Sequence, residues 1–289
     1  MTASNHIFVQ SGFQMEQKFV DILTDNFDST PRNVDFRRRR KSVNLINELV
    51  KNGTNGKIGK LFSDDSVSEA TKMILLNTIH FKGDWDFKFD PELTDKTDFH
   101  LANGSTIQVD TMTTHSRFQM TNVPSLNAQA LRLPYKEDRL SMVVILPNEN
   151  NDLEKMEAAM EKFDLGSIEF DDYEDVEFWL PKFKLSSDHN LVDNLKKLDI
   201  TGLFSEGRAD LTGMSPVSGL FVSSVIQKAF VEVNEEGSEA GAASGAIAYI
   251  RSGSSVEVFN CNRPFTYLIT DSLTGLTLFI GRVANPSIE

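Results

Sequence analysis

One cysteine, Cys261, stands in 289 residues, so no intramolecular disulfide is available and the redox compartment is left open. Beside Phe259 and Pro264, that cysteine reads as a small packing residue rather than a nucleophile. Histidine is also scarce. His6, His80, His100, His115 and His189 are the full set, and none stands at metal-ligand spacing from the cysteine or from another histidine. The chain has no Gly-x-Ser-x-Gly elbow, no Gly-x-x-x-x-Gly-Lys-Ser/Thr loop and no Gly-x-Gly-x-x-Gly turn. A catalytic role is therefore not expected, although a triad dispersed through the chain is recognisable only by geometry. Residues 1–20 lack the basic start and apolar core of a secretion signal. The longest apolar stretch, around Leu140–Pro147, is too short to span a bilayer. A net charge of −13 disfavours nucleic acid as the main partner.

What is present is ordinary in amount: 40% hydrophobic and 25% charged residues, as in a freely diffusing globular protein. No internal repeat and no interdomain linker interrupts residues 1–289, which read as one domain. Helical spacing appears at Phe19, Leu23 and Phe27, and at Val43, Ile46 and Val50, where Asn52-Gly53 supplies a stop. It recurs over 152–163, with Asp152 as a cap, and through Leu191, Leu195 and Leu198. Each of these helices is expected to pack on a sheet. Met73–Ile79 and Leu140–Leu146 are nearly continuous apolar runs and predict strands covered on both faces. Val176, Phe178 and Leu180 alternate like a half-buried strand. Further strands are predicted at Phe230–Val233, Val256–Phe259, Phe265–Ile269 and Leu276–Ile280, with a turn at Asp271–Gly275. Strands with interspersed helices and no regular βαβ alternation give an α+β class.

Residues 235–252, EEGSEAGAASGAIAYIRS, carry the most information. At the side-chain period of two, Ser238, Ala240, Ala242, Ser244, Ala246 and Ala248 fall on one face, all small and uncharged. No proline blocks a ladder hydrogen bond, so such a segment can enter between two existing strands. Gly and Ala are poor intrinsic strand formers, so it need not be a strand beforehand. Composition alone also fits a flexible linker. Arg251, at the end of the run, is the side chain a trypsin-like protease binds.

Arg37-Arg38-Arg39-Arg40-Lys41 is the sharpest charge cluster. It fits a polyanion site, for a heparin-like glycosaminoglycan or a membrane surface, or else a solvated helix start. Cations there oppose the helix dipole. Asn52-Gly-Thr and Asn103-Gly-Ser are glycosylation sequons, which favour an extracellular location over a cytoplasmic one.

The flanks of the 235–252 segment resemble the serpins, the serine protease inhibitor family: VIQKAFVEVNEEGSEAG upstream and NRPFTYLITDSLTGLTLFIGRVANP at the end. So do NTIHFKGDW (77–85), LRLPYKEDRLSMVVILP (131–147) and FWLPKFKL (178–185), in the family's order. The resemblance implies a large central mixed sheet, smaller sheets, several helices and an exposed reactive loop over 235–255. The match begins with a central-sheet strand at Asn5-His-Ile-Phe-Val-Gln, so the family's first helices are expected to be missing, as in a truncated or alternatively started chain. It further implies a metastable monomer that needs no cofactor and that a trypsin-like serine protease cleaves at Arg251-Ser252. The hinge comprises Glu235, Gly237, Ser238, Ala240, Ala242, Ala243 and Ser244. By the same resemblance Glu235 pairs with Lys182 in an exposed ion pair, Trp85 lies where insertion begins, and Asn77 lies beneath the sheet centre. Gln227 stands where the family commonly has histidine, which alters that central network. A non-inhibitory carrier, chaperone or storage member and an inactive truncated inhibitor are the alternative readings.

Overall fold

The computed structural model describes residues 2–54, 56, 59–137, 139–148, 153–236 and 256–287. In chain order the elements are β1 (Thr2–Gln10), α1 (Gln17–Phe27), β2 (Arg32–Val34), α2 (Arg39–Gly53), β3 (Met73–Phe81), β4 (Asp95–His100), β5 (Thr106–Val123), β6 (Ala128–Pro134) and β7 (Leu140–Pro147). There follow α3 (Leu153–Met160), β8 (Tyr173–Pro181), β9 (Phe183–Asn190), α4 (Val192–Lys197), β10 (Ser224–Val233), β11 (Glu257–Asn260), β12 (Phe265–Asp271) and β13 (Thr277–Val283). Packing divides the chain into two compact units, one of Met1–Phe81 with Ser186–Val231 and one of Lys82–Leu185 with Glu232–Glu289.

The first unit is built on a mixed sheet of order β2-β1-β3-β10-β9. β1 runs antiparallel to β3, and β3 runs parallel to β10 over eight residue pairs from Ile74↔Ser224 to Phe81↔Val231. Alternation sorts the side chains. Phe8, Ile74 and Leu76 share one face and pack with Val43, Ile46 and Val50 of α2. Val9 and Met73 face the other way and cluster with Leu220 and Val222. Asn47 fastens the chain after α2: its Oδ1 accepts from the N–H groups of Leu61 and Phe62, and its Nδ2 donates to the Phe62 carbonyl.

The second unit holds an eight-stranded sheet, β11-β8-β5-β6-β7-β12-β13, with β4 also on β5. The 18-residue β5 serves three neighbours in turn: β4 up to Thr111, β8 from Thr111 to Gln119, and β6 from Gln119 to Val123. Leu153, Met156 and Met160 of α3 cover Val143, Ile145 and Leu268. Gly281 lies opposite Tyr267, and a Cβ there would come within 2.5 Å of the tyrosine ring, so glycine is required. Asp271 Oδ1 accepts from the N–H groups of Leu273 and Thr274 and shapes the β12–β13 turn.

Several expectations need correction. α2 begins at Arg39, so three of the five clustered cations lie within the helix rather than before it. α4 buries no residue, because six residues are too few to turn one apolar stripe inward, and Leu198 is 72% exposed. In α1 only Leu23 is buried, while Ile22 and Phe27 stay exposed. β3 is only partly covered at Leu75, Asn77, Ile79 and His80. The Asp152 cap lies outside the described residues. Cys261 is buried, and burial pushes its thiol well above the usual range, which leaves it a protonated packing group.

Candidate functional site

The segment that opens the small-residue run leaves β10 at Val233, and its first residues are held from several directions within the second unit. Trp85 is buried and stacks on Tyr135 with ring centroids 4.4 Å apart. That stacking aims its indole Nε1 at the Asn234 carbonyl, to which it donates at 2.8 Å. The Phe89 N–H donates to the Glu235 carbonyl at 3.3 Å. Pro181 ends β8, and Lys182 follows with its N–H bonded to the Asp110 carbonyl at 2.8 Å. Its ammonium then reaches Glu235 Oε1 at 2.8 Å. The Thr94 hydroxyl donates to the same oxygen at 2.9 Å.

Glu235 is only 8% exposed, so this is not the exposed ion pair the sequence suggests. Burial by itself would raise the carboxyl's pKa. The Lys182 ammonium, the residue's own N–H and the Thr94 hydroxyl outweigh it and hold the group below the usual glutamate value. Beside this clamp lies a cleft of ≈ 580 Å³, lined among others by Pro91, Lys184, Glu232 and Pro286. Lys184 and Glu232 pair across it at 3.7 Å.

In the first unit, Asn5, Asn77 and Gln227 stand in one row across β1, β3 and β10. Asn77 Nδ2 donates to Asn5 Oδ1 at 2.8 Å, and Gln227 Nε2 donates to Asn77 Oδ1 at 3.4 Å. The β3–β10 side of the row thus has the longer bond. On the other flank of β10, Lys228 pairs with Asp188 of β9 at 2.8 Å. Glutamine at 227 keeps the row bonded, where the resemblance gave only a departure from histidine.

The remaining expected residues lie elsewhere. Arg37 and Arg38 both reach Asp35, at 2.8 and 3.4 Å, while Arg39, Arg40 and Lys41 point into solvent. Asn103 lies in an exposed turn where its Oδ1 accepts from the Ser105 N–H and hydroxyl. Asn52 is in the last turn of α2, and the Thr54 hydroxyl of its sequon is turned inward onto the Val50 carbonyl. Gly237, Ser238, Ala240, Ala242, Ala243, Ser244, Arg251 and Ser252 lie outside the described residues. Among the described residues no group of acidic, histidine or cysteine side chains is arranged to hold a metal, and no helix is long and apolar enough to cross a membrane. Sequence reasoning missed Thr94, Asn5 and the Phe89 N–H. Only strand register places Asn5 opposite Asn77, and nothing in the local sequence marks Thr94 as a donor to Glu235.

With this geometry in hand, comparison with known proteins is decisive. The sequence profile of the serpins, the serine protease inhibitor family, matches residues 1–286. The chain is a serpin. It is 34% identical to Antichymotrypsin-2 of Bombyx mori, over 96% of this chain and 74% of that protein. It is equally 34% identical to Antitrypsin of the same insect, over 98% of this chain and 72% of that one. Among solved structures it resembles Serpin48 of Tenebrio molitor, described as a highly specific serpin, with a TM-score of 0.85 and 30% identity over 98% of this chain and 75% of that one. Serpins are in general protease inhibitors rather than enzymes, and the α+β fold with mixed sheets is theirs.

Proposed function

We propose that this serpin is a suicide substrate for a trypsin-like serine protease. The protease serine attacks the Arg251 carbonyl carbon, the Arg251–Ser252 bond breaks, and Ser252 leaves as a free amine. An ester between the serine and Arg251 remains. The segment from Ser238 onward then enters the five-stranded sheet between β3 and β10, before water cleaves the ester.

The observation that carries this reading is the parallel pairing of β3 with β10. A segment that follows β10 and turns back runs antiparallel to it, and therefore antiparallel to β3 as well. Insertion exchanges one parallel ladder for two antiparallel ones, the more stable kind per residue. Each new backbone bond is worth about 1 kcal/mol net. From Ser238 to Arg251 the inserted strand spans ~44 Å at ordinary strand rise, enough to carry a tethered protease the length of a small domain. The row of small residues from Ser238 to Ala248 meets the steric demand of that passage. The native fold is then a kinetically trapped state.

Target choice rests on Arg251. Equal likeness to proteins named for chymotrypsin and for trypsin leaves specificity to the loop itself, and an acidic pocket base selects Arg. The two sequons support secretion, and Asn103 is the better placed of them. Mixing the protein with trypsin and running a denaturing gel tests the reading. A covalent band at the summed mass is expected for the native chain, and Ala242→Asp should convert it to a cleaved substrate. Clean cleavage of the native chain with no such band would assign it to carriers or storage members, and general degradation would mark it as an inactive fragment.

A further inference from the structure

The cleft beside the Glu235 clamp takes no part in the proposed strand exchange, yet it is a formed cavity of ≈ 580 Å³. That volume lies in the range of small-molecule sites and is far larger than a single ion needs. Its walls are held in place. Pro91 opens a turn that Asp90 caps through the Glu92 N–H, and Thr94 at the end of that turn is bonded to Glu235. Val233 and Pro286, both buried, supply further apolar lining. Lys182 and Lys184 project to one side of an extended segment, while Phe183 between them turns onto Phe265 and Tyr267. The side chains of the two lysines are 38% and 47% exposed, against 11% and 14% for their partners Glu235 and Glu232. The two pairs therefore turn ammonium rather than carboxylate toward solvent. Glu236 also lines the cleft and is exposed, and no ion pair engages it among the described residues. Its N–H donates to Asn234 Oδ1 at 3.2 Å.

We propose that this cleft binds a free peptide of dipeptide size, its carboxylate end on Lys182 and Lys184, its ammonium end on Glu236 and its apolar side chains on Pro91, Val233 and Pro286. A simple carboxylic acid would meet the like charge of Glu236, and a simple amine would meet that of the two lysines. A ligand bearing both signs matches the lining better than either. Near pH 7 both ends of a free peptide are charged. Hydrolysis of a peptide bond adds water across it and leaves one carboxylate and one ammonium end, so proteolysis supplies ligands of this class. Glu236 is the first residue beyond the clamp, so a peptide that bridges it to Lys184 holds the base of the loop in place. On the suicide-substrate reading, on which this consequence rests, the bound peptide slows strand entry, and products of proteolysis restrain the inhibitor.

The test uses the full chain and the dipeptide Leu-Leu, titrated by calorimetry at neutral pH. A dissociation constant of about 1 mM or tighter is expected, with a rise in melting temperature. N-acetyl-Leu-Leu, Leu-Leu amide and Gly-Gly lack the ammonium, the carboxylate and the apolar side chains in turn, and each should bind at least about tenfold more weakly. Glu236→Gln should weaken Leu-Leu at least about tenfold and leave the acetylated peptide unaffected, and Lys184→Gln should do the same with the amide as the unaffected ligand. Glu236 is exposed, so its variant should melt as the native protein does and carries the comparison should Lys184→Gln prove unstable. Bound Leu-Leu should slow hydrogen exchange at the Glu235 and Glu236 amides. With trypsin added, saturating Leu-Leu should lower the ratio of covalent complex to cleaved protein. The proposal is overturned if Leu-Leu fails to bind at about 10 mM, if a blocked peptide or Gly-Gly binds as tightly, if Glu236→Gln binds Leu-Leu as the native protein does, or if exchange at those amides is unchanged. Binding and exchange are read without a protease. A chain that binds Leu-Leu but traps no trypsin therefore overturns the suicide-substrate reading alone, and an unchanged ratio in a chain that does trap it overturns the restraint.

Discussion

Seven of the eight residues of β7 are buried, whereas in β10 only Val231 and Val233 are. β7 lies between two antiparallel neighbours, β6 and β12, and α3 covers its Val143 and Ile145. β10 borders β3 through a parallel ladder crossed by the 3.4 Å Gln227–Asn77 bond. A sheet of the first kind cannot open without exposing a continuous apolar surface. The second kind has a seam of slanted parallel bonds, slightly weaker per residue than an antiparallel ladder, with a long polar contact across it. The closed sheet is the scaffold, and the seam beside β10 is where the proposed strand would enter.

Substitutions can break or sharpen this contrast. Leu268→Ala, in the closed sheet, should cost about 2–5 kcal/mol in chemical denaturation while leaving the ratio of covalent complex to cleaved protein unchanged. A changed ratio would mean that the two sheets are not functionally distinct. Lys182→Met should cost about 1–3 kcal/mol, since it leaves a buried carboxylate with Thr94 as its remaining side-chain donor. The same pair sets a pH dependence. Glu235 titrates lower in the folded protein than in the unfolded chain, so its contribution is complete above about pH 4.5 and is lost as pH falls below that value through the folded pKa. Lys182→Met should flatten the acid limb of the stability profile, and an unaltered limb would show that the clamp does not govern it. Asn77→Ala should cost only about 1 kcal/mol, yet shift the complex-to-cleavage ratio more than Leu268→Ala does.

Legibility in the sequence followed side-chain patterning. β7, β8 and β12 announce themselves because Val, Ile, Leu and Phe recur at strand period where burial is dense. β5 does not: His115, Arg117 and Gln119 line its exposed side, and of its three partners β8 comes from a distant part of the chain. β9 carries no apolar strand pattern, because Ser186, Asp188 and His189 outnumber its apolar residues. The family motifs located Lys182, Glu235 and Trp85, but not the burial that turns the first two into a strong pair. Asn5 carries no signal of its own, since its role depends on standing opposite Asn77.

The claim that the β3–β10 seam opens to take up the loop is tested most directly by measuring stability and hydrogen exchange before and after trypsin clips the loop. Insertion of a strand bonded on both sides should raise the melting temperature by about 20 °C or more and slow exchange at the β3 and β10 amides, Ile74–Phe81 and Ser224–Val231. A clipped protein that melts at the native temperature, with those amides exchanging as before, would contradict it.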